Sequence, residues 1–305
     1  MSEATGFVLG VDFGGTKVAL ATADRRGRIL AEERMPTNAD RGARQAVGRA
    51  VEAGRRLIEA TEARHGGRLA AVGVSSMGNT YEDHVVMAPN VAGWGELALP
   101  AMLREGFSTD AVTIANDVKA AAWAEVKWGS LRGVDAGIFV NVGTGFAAAL
   151  VLDGRIVHGA HGAAGEIGYN LRAPGEPLGA ADGRLPVEEF IGGHGVVARA
   201  RERFGPETTV PELFARARHH AAERAFVEEF VSEAAFHVTN LVIAWDPELV
   251  VLGGGFMESA DLVLPGLQEH ARRFAPCPPR VEVARFVSDG GLRGSIALAL
   301  EPMQP

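Results

Sequence analysis

One pattern occurs twice in this chain. Near the start it reads Val11-Asp12-Phe13-Gly14-Gly15-Thr16-Lys17-Val18-Ala19-Leu20, followed by Asp24-Arg25-Arg26-Gly27-Arg28-Ile29. Near the middle it reads Val140-Asn141-Val142-Gly143-Thr144-Gly145-Phe146-Ala147-Ala148-Ala149-Leu150, followed by Asp153-Gly154-Arg155-Ile156. Each copy is an apolar strand, a Gly/Thr turn, a second strand, a tight turn with glycine and a third strand, which predicts an antiparallel meander. Two meanders in 305 residues imply two related domains. The length agrees, because a single core stops growing beyond roughly 250–300 residues.

Helical and strand signals follow each meander. Val47, Val51, Gly54, Ile58 and Thr61 recur at spacings of three and four and predict an amphipathic helix over about 42–64. Leu69 to Val74 and Val112 to Ala115 read as strands, and Val118 to Lys127 as a helix ending at Gly129. Between Ala221 and Trp245, Phe226, Phe230, Ala234, His237, Leu241 and Trp245 again follow helical spacing, and Leu249 to Leu252 is a buried strand running into Gly253-Gly254-Gly255. Strands alternating with helices specify an α/β architecture.

Composition narrows the partners. Hydrophobic residues make up 47% and charged residues 22%, which is the balance of a soluble globular protein and excludes disorder, collagen and coiled coil. The net charge of −8 repels nucleic-acid backbones and anionic membrane surfaces. The N-terminus lacks a basic apolar leader, no window approaches 18 apolar residues, and no helix-turn-helix pattern precedes Phe7. The single cysteine, Cys277, permits no internal disulfide and no Cys-based zinc site, and points to a reducing cytoplasm.

Glycine is in excess at 39 residues, about 13% against a usual level of about 7%. A phosphate needs several backbone N–H groups aimed at it, and a Cβ on the turn would block that approach. Three clusters qualify. In the first, Gly14, Gly15, Thr16 and Lys17 offer turn amides, a hydroxyl and a cation to a terminal phosphate, and Asp12 offers a carboxylate to a hydrated Mg²⁺. Gly143, Thr144 and Gly145 stand at the matching place in the second meander, and Gly253, Gly254 and Gly255 offer bare backbone to a purine or ribose. Any one cluster alone fits an ordinary tight turn. The Walker pattern is absent, since no Gly-Lys-Ser or Gly-Lys-Thr occurs. Gly143-Thr144-Gly145-Phe146-Ala147-Ala148 matches the dinucleotide fingerprint in letters, but a strand and hairpin turn follow it where that fold needs a helix.

The chain resembles the ROK family (repressor, open reading frame, kinase) of the actin-like ATPase superfamily. The matching pieces are Asp12-Phe13-Gly14-Gly15-Thr16-Lys17, Pro89-Asn90 with Gly93-Trp94, Asn116-Asp117, Gly143-Thr144-Gly145, Gly165-Glu166-Ile167-Gly168, Leu252-Gly253-Gly254-Gly255 and Gly290-Gly291-Leu292-Arg293-Gly294-Ser295. The resemblance implies an α/β fold of two actin-like (ribonuclease H-like) domains around a central cleft. An N-terminal domain over 1–115 would be rejoined by a C-terminal helix at about 290–305, with a larger domain over 116–289. It further implies an ATP- and Mg²⁺-dependent hexose kinase with Asp117 as the catalytic base, and Asn90, Asn116, Glu166 and Glu188 holding sugar hydroxyls together with Asp117. Read by itself, an aspartate at position 117 fits a helix N-cap equally well.

Two departures bear on the substrate. Zinc-bearing family members end Gly-Glu-Ile-Gly with His and carry three cysteines in the following loop, whereas this chain has Tyr169 and no cysteine between Leu178 and Glu188. Structural zinc normally takes four N/S ligands, so none is expected, and Tyr169 would face the sugar in place of the His. Where relatives read Pro-Gly-Pro, this chain reads Ser75-Ser76-Met77-Gly78-Asn79, so Ser76 and Gly78 would line the sugar site. The expected reaction is phosphorylation of a primary (6-) hydroxyl of glucose or of a modified glucose such as a kanosamine-like amino sugar. The alternatives are a kinase of a C7-cyclitol or N-acetylhexosamine from secondary metabolism, and a catalytically silent sugar-binding or regulatory protein. The family's repressors carry an N-terminal winged helix that this chain lacks, and a homodimer is left open.

Overall fold

The computed structural model describes residues 6–88 and 91–301. They form two compact units, one running to Lys127 and resuming at Asp289, the other spanning Trp128–Ser288. In the first unit β1 (Phe7–Phe13), β2 (Lys17–Ala23) and β3 (Ile29–Pro36) form the antiparallel meander. Helix α1 (Ala43–His65) leads to β4 (Leu69–Ser76). A short hairpin of β5 (Asn79–Thr80) and β6 (Val85–Val86) and helix α2 (Leu99–Phe107) then precede β7 (Val112–Asn116) and α3 (Asp117–Trp128). The sheet order is β3-β2-β1-β4-β7, with β4 parallel to both β1 and β7.

The second unit opens with β8 (Ala136–Val142), β9 (Phe146–Leu152) and β10 (Arg155–Val157), again antiparallel. Its helices are α4 (Glu188–Ile191), α5 (Gly193–Phe204), α6 (Val210–Ala217), α7 (Ala221–Trp245) and, after β11 (Leu249–Gly253), α8 (Ala260–Phe274), which leads to β12 (Arg280–Val283). The order β10-β9-β8-β11-β12 repeats that of the first sheet, with β11 parallel to β8 and β12. The sequence echo therefore extends to whole-sheet topology. Chain and fold then return to the first unit through α9 (Gly290–Leu300).

The unit boundary at 127/128 lies beyond the 115/116 division read from the sequence, because α3 packs tightly with α9. A methyl group on Gly294 would lie 1.8 Å from the Ala120 carbonyl oxygen, so glycine alone permits that approach. The buried side of α1 contains the predicted Val47, Gly54 and Thr61, with Val51 and Ile58 packed at its edge, and is widened by alanines. Ala43, Ala46, Ala50 and Ala53 are buried with Val47, whereas Val51 and Ile58 are only partly so. Gly54 explains the close packing, since a Cβ there would meet the Phe107 ring at 2.5 Å.

Helix α9 rests on the first sheet through missing side chains. A Cβ on Gly73 would lie 1.9 Å from the Ser295 carbonyl oxygen, and one on Gly10 would lie 2.6 Å from the Ser295 hydroxyl. Gly73→Ala is expected to destabilise the protein by about 3 kcal/mol in urea unfolding, as overpacking against backbone does. Gly48→Ala, in the exposed interior of α1 with nothing near the added methyl, is expected to stabilise it by about 1 kcal/mol.

Candidate active site

Candidate side chains of the first unit collect at the carboxyl ends of β1, β4 and β7. The β1–β2 turn is closed by the Gly14 N–H donating to the Lys17 carbonyl at 3.0 Å, and the Thr37 hydroxyl holds the Gly14 carbonyl at 2.6 Å. Gly14 spends its own amide within the turn, while Gly15, Thr16 and Lys17 are exposed. Asp12, just before the turn, pairs with Ser75 of β4 and lies under the first turn of α9, where a methyl on Gly291 would sit 2.6 Å from Asp12 Oδ1. Burial raises the Asp12 pKa, and the Ser75 hydroxyl, Lys17 and Arg34 offset that only in part. A carboxylate so desolvated gains from a cation beside it, which is the donor chemistry a hydrated Mg²⁺ uses.

Ser76 ends β4 beside Asn116, which ends β7. The Asn116 Oδ1 accepts from the Lys119 N–H at 2.9 Å and its Nδ2 donates to Asn79 Oδ1 at 3.1 Å. Asn116 thus takes the N-cap role that the sequence left open for Asp117. Asp117 follows at the first position of α3, with Oδ1 accepting from the Val118 N–H at 2.9 Å. The Trp94 indole N–H donates to Ser76 Oγ at 3.3 Å. Gly78 has φ 71°, and a Cβ there would strike the Val86 carbonyl at 2.3 Å, so the turn into the β5–β6 hairpin requires glycine. Asn90 and Pro89 lie outside the described residues.

In the second unit two of the predicted glycine clusters meet. A Cβ on Gly143 would lie 2.8 Å from the Gly255 nitrogen, and one on Gly254 2.6 Å from the Val142 carbonyl oxygen. The Gly143 N–H closes the turn onto the Gly145 carbonyl at 3.1 Å, which also accepts from Asn141 Nδ2 at 3.3 Å. Thr144 is exposed, and nothing lies within 4 Å of a Cβ built on Gly255. The sequence reading missed a third segment here: the Gly193 N–H donates to the Gly143 carbonyl at 2.8 Å, and a Cβ on Gly192 would press on the Thr144 carbonyl at 2.9 Å. Its signal was the run Gly192-Gly193-His194-Gly195 ahead of the α5 pattern.

Glu166, Tyr169 and Glu188 converge beside that turn. Gly165, at φ 90°, lets its segment dock on β9, where a Cβ would meet the Ala148 carbonyl at 2.0 Å. Glu188 Oε2 accepts from the Phe146 N–H at 2.9 Å, and a Cβ on Gly145 would lie 2.8 Å from the same oxygen. Gly145 is therefore glycine to admit Glu188. Burial raises the Glu188 pKa, with the Phe146 N–H and His194 opposing. The Tyr169 hydroxyl is raised by burial, then by the negative charges of Glu166 and Glu188. Among the described residues no group of three or more His, Cys, Asp or Glu side chains is placed to hold a metal ion, and no helix is long and apolar enough to cross a membrane.

These strand-end turns, placed alike in two sheets of one topology, match a known family model. The ROK family model covers residues 8–302. The chain belongs to the ROK family. A glucokinase of Streptomyces coelicolor is 27% identical over 97% of this chain and 98% of its own length. An N-acetylmannosamine kinase of Salmonella arizonae is 31% identical over 95% of this chain and 97% of its own. The crystal structure of a ROK family glucokinase from Streptomyces griseus, in complex with glucose and AMPPNP, superposes with a TM-score of 0.80 at 25% identity, over 98% of this chain and all of that one. This ROK protein has the two-domain actin-like α/β fold and is an ATP-dependent sugar phosphotransferase.

Burial of Glu188 has a pH signature. With its folded pKa above the unfolded value, the native state binds the extra proton, so the term supports stability at low pH and is lost as pH rises through the folded pKa. Glu188→Gln lacks this term. Its melting temperature relative to wild type is expected to be higher at pH 7.5 than at pH 4, as scanning calorimetry at the two pH values would read.

Proposed function

We propose that this ROK kinase transfers the terminal phosphoryl group of ATP to the primary (6-) hydroxyl of a hexose, glucose or a modified glucose such as a kanosamine-like amino sugar. The observation that carries the reading is Asp117. It sits at the carboxyl end of a parallel strand, with the capping duty taken by Asn116, beside an amide and hydroxyl cluster of Asn79, Asn116 and Ser76. In this reading the Asp117 carboxylate accepts the proton of the attacking hydroxyl. By the family resemblance the sugar ligands would be Ser76, Gly78, Asn90 and Asn116 of the first unit and Glu166, Tyr169 and Glu188 of the second.

In the turns Gly14–Lys17 and Gly143–Gly145 the exposed members, Gly15, Thr16, Lys17 and Thr144, would offer N–H groups and the two hydroxyls to the phosphates. Gly255, with nothing within 4 Å of an added Cβ, would leave room for the adenosine, whereas Gly253 is buried with a would-be Cβ 2.5 Å from the Phe139 ring and faces the core instead. Mg²⁺, held by Asp12 through water, would neutralise charge on the phosphates. Asp12 is suited to that because burial leaves its charge undercompensated. A second acceptor, N-acetylmannosamine, is favoured by the 31% identity to the kinase of Salmonella arizonae that carries that name. C7-cyclitols belong in the same panel, since an altered Ser75–Asn79 segment and Tyr169 redefine the hydroxyls and amines the site rewards.

Asp117→Asn is expected to lower kcat by about 10³-fold with little change in sugar KM, read by a coupled ADP assay across glucose, amino sugars, N-acetylhexosamines and cyclitols. NMR of the product locates the phosphate. Undiminished turnover in Asp117→Asn would overturn the assignment of the base, and absence of ADP release with every acceptor would favour a sugar-binding role.

A further inference from the structure

Helix α4 is a four-residue turn and cannot hold itself, since nucleation of so short a segment is unfavourable. Each of its residues is fastened from outside. Glu188 accepts from the Phe146 N–H at 2.9 Å. Glu189 takes a forked pair from Arg184, with Nε to Oε1 at 2.7 Å, accepts from the Leu185 N–H at 3.0 Å, and has its pKa lowered to about 2, chiefly by the Arg184 hydrogen bond. Ile191 is fully buried in the core. Phe190 is clamped on both faces: the Arg172 guanidinium carbon lies 3.8 Å from its ring centroid and that of Arg199 3.7 Å.

The two cations would repel each other across the ring, and α7 supplies the compensation. Glu233 accepts from Arg172 Nε and Nη2, the latter to Oε2 at 2.8 Å, and Glu229 Oε1 lies 3.9 Å from Arg199 Nη1. Arg199 Nη2 also donates to the Phe190 carbonyl at 2.6 Å, tying backbone and ring of that residue to one guanidinium. A ring held between two ion-paired guanidinium planes is restrained in both directions along its normal, which neither an aliphatic side chain nor a single cation–π contact achieves.

We propose that Phe190, clamped between Arg172 and Arg199, is a positioning residue that sets Glu188 against the Phe146 amide and thereby tunes sugar affinity. The inference rests on the reading of Glu188 as a sugar ligand. A group that only orients a binding carboxylate acts on KM; one that merely holds the fold acts on melting temperature and leaves KM alone.

The test uses the full-length enzyme with ATP and whichever of glucose and N-acetylmannosamine is turned over faster. Phe190→Leu keeps the apolar bulk and removes both cation–π contacts. It is expected to raise sugar KM about tenfold, equivalent to about 1.4 kcal/mol, with ATP KM and kcat within about twofold of wild type. Phe190→Tyr, which keeps the ring, is expected to restore KM. Should Phe190→Leu fail to fold, Arg172→Lys keeps the charge but loses the planar stack, and a several-fold rise in sugar KM is expected there. Wild-type sugar KM in the folded variant, or a Phe190→Tyr enzyme as impaired as Phe190→Leu, would overturn the proposal. Glu188→Gln with wild-type sugar KM would instead overturn the reading of Glu188 on which it stands.

Discussion

Backbone-to-backbone contact at glycine is the constraint on which both units depend. Helix α9 reaches the sheet of β1 and β4, and α3 beside it, because Gly73 leaves room for the Ser295 carbonyl, Gly10 for the Ser295 hydroxyl and Gly294 for the Ala120 carbonyl. That seating places the first turn of α9, the positive end of its dipole, over the Asp12 carboxylate at Gly291. In the second unit the same device stacks the Gly143 turn on Gly254–Gly255 and lets Gly192–Gly193 close against it. Interiors packed at crystal-like density cannot yield the ångström or so that a methyl would need against backbone, so Gly73, Gly294, Gly143 and Gly254 admit no other residue cheaply.

Hydrogen-bond accounting then separates groups that build the site from groups left to act. The Gly14 and Gly143 amides close their own turns, and Asn116 divides its amide between the α3 cap and Asn79. Gly15, Thr16 and Thr144 stay exposed on those rigid turns. The carboxylates are held with their charge undercompensated: burial raises both Asp12 and Glu188. Such groups cost stability in the isolated protein and favour ligands that bring a cation or a hydroxyl donor.

Much of this was legible in the one-dimensional pattern, because a meander is local. Strand, Gly/Thr turn, strand and Asp-Gly hairpin are written in residues a few positions apart, and the two copies foretold two related units. The helices at 43–65, 117–128 and 221–245 were read nearly to their ends from spacing. Periodicity found Val47, Gly54 and Thr61 on the buried face of α1 but understated its width, since Ala43, Ala46, Ala50 and Ala53 are buried with them and the close approach of Gly54 to Phe107 of α2 is a contact between distant segments. The run at Gly192–Gly193 and the amide of Asn79 were likewise missed, because their partners lie 37 or more positions away.

By itself the sequence determined the two related α/β units and the scarcity of cysteine, which follow from local spacing and residue type, and it carried the ordered motifs by which the chain resembles its family. Only the tertiary structure decided which glycines present amides and which merely make room, that Asn116 rather than Asp117 caps α3, that Gly145 is small on behalf of Glu188, and that Arg172 and Arg199 sandwich Phe190. The physical reason is common to all four. Each is a contact between segments distant along the chain, at separations of a few ångströms that steric exclusion and hydrogen-bond geometry fix in three dimensions and that no local pattern encodes.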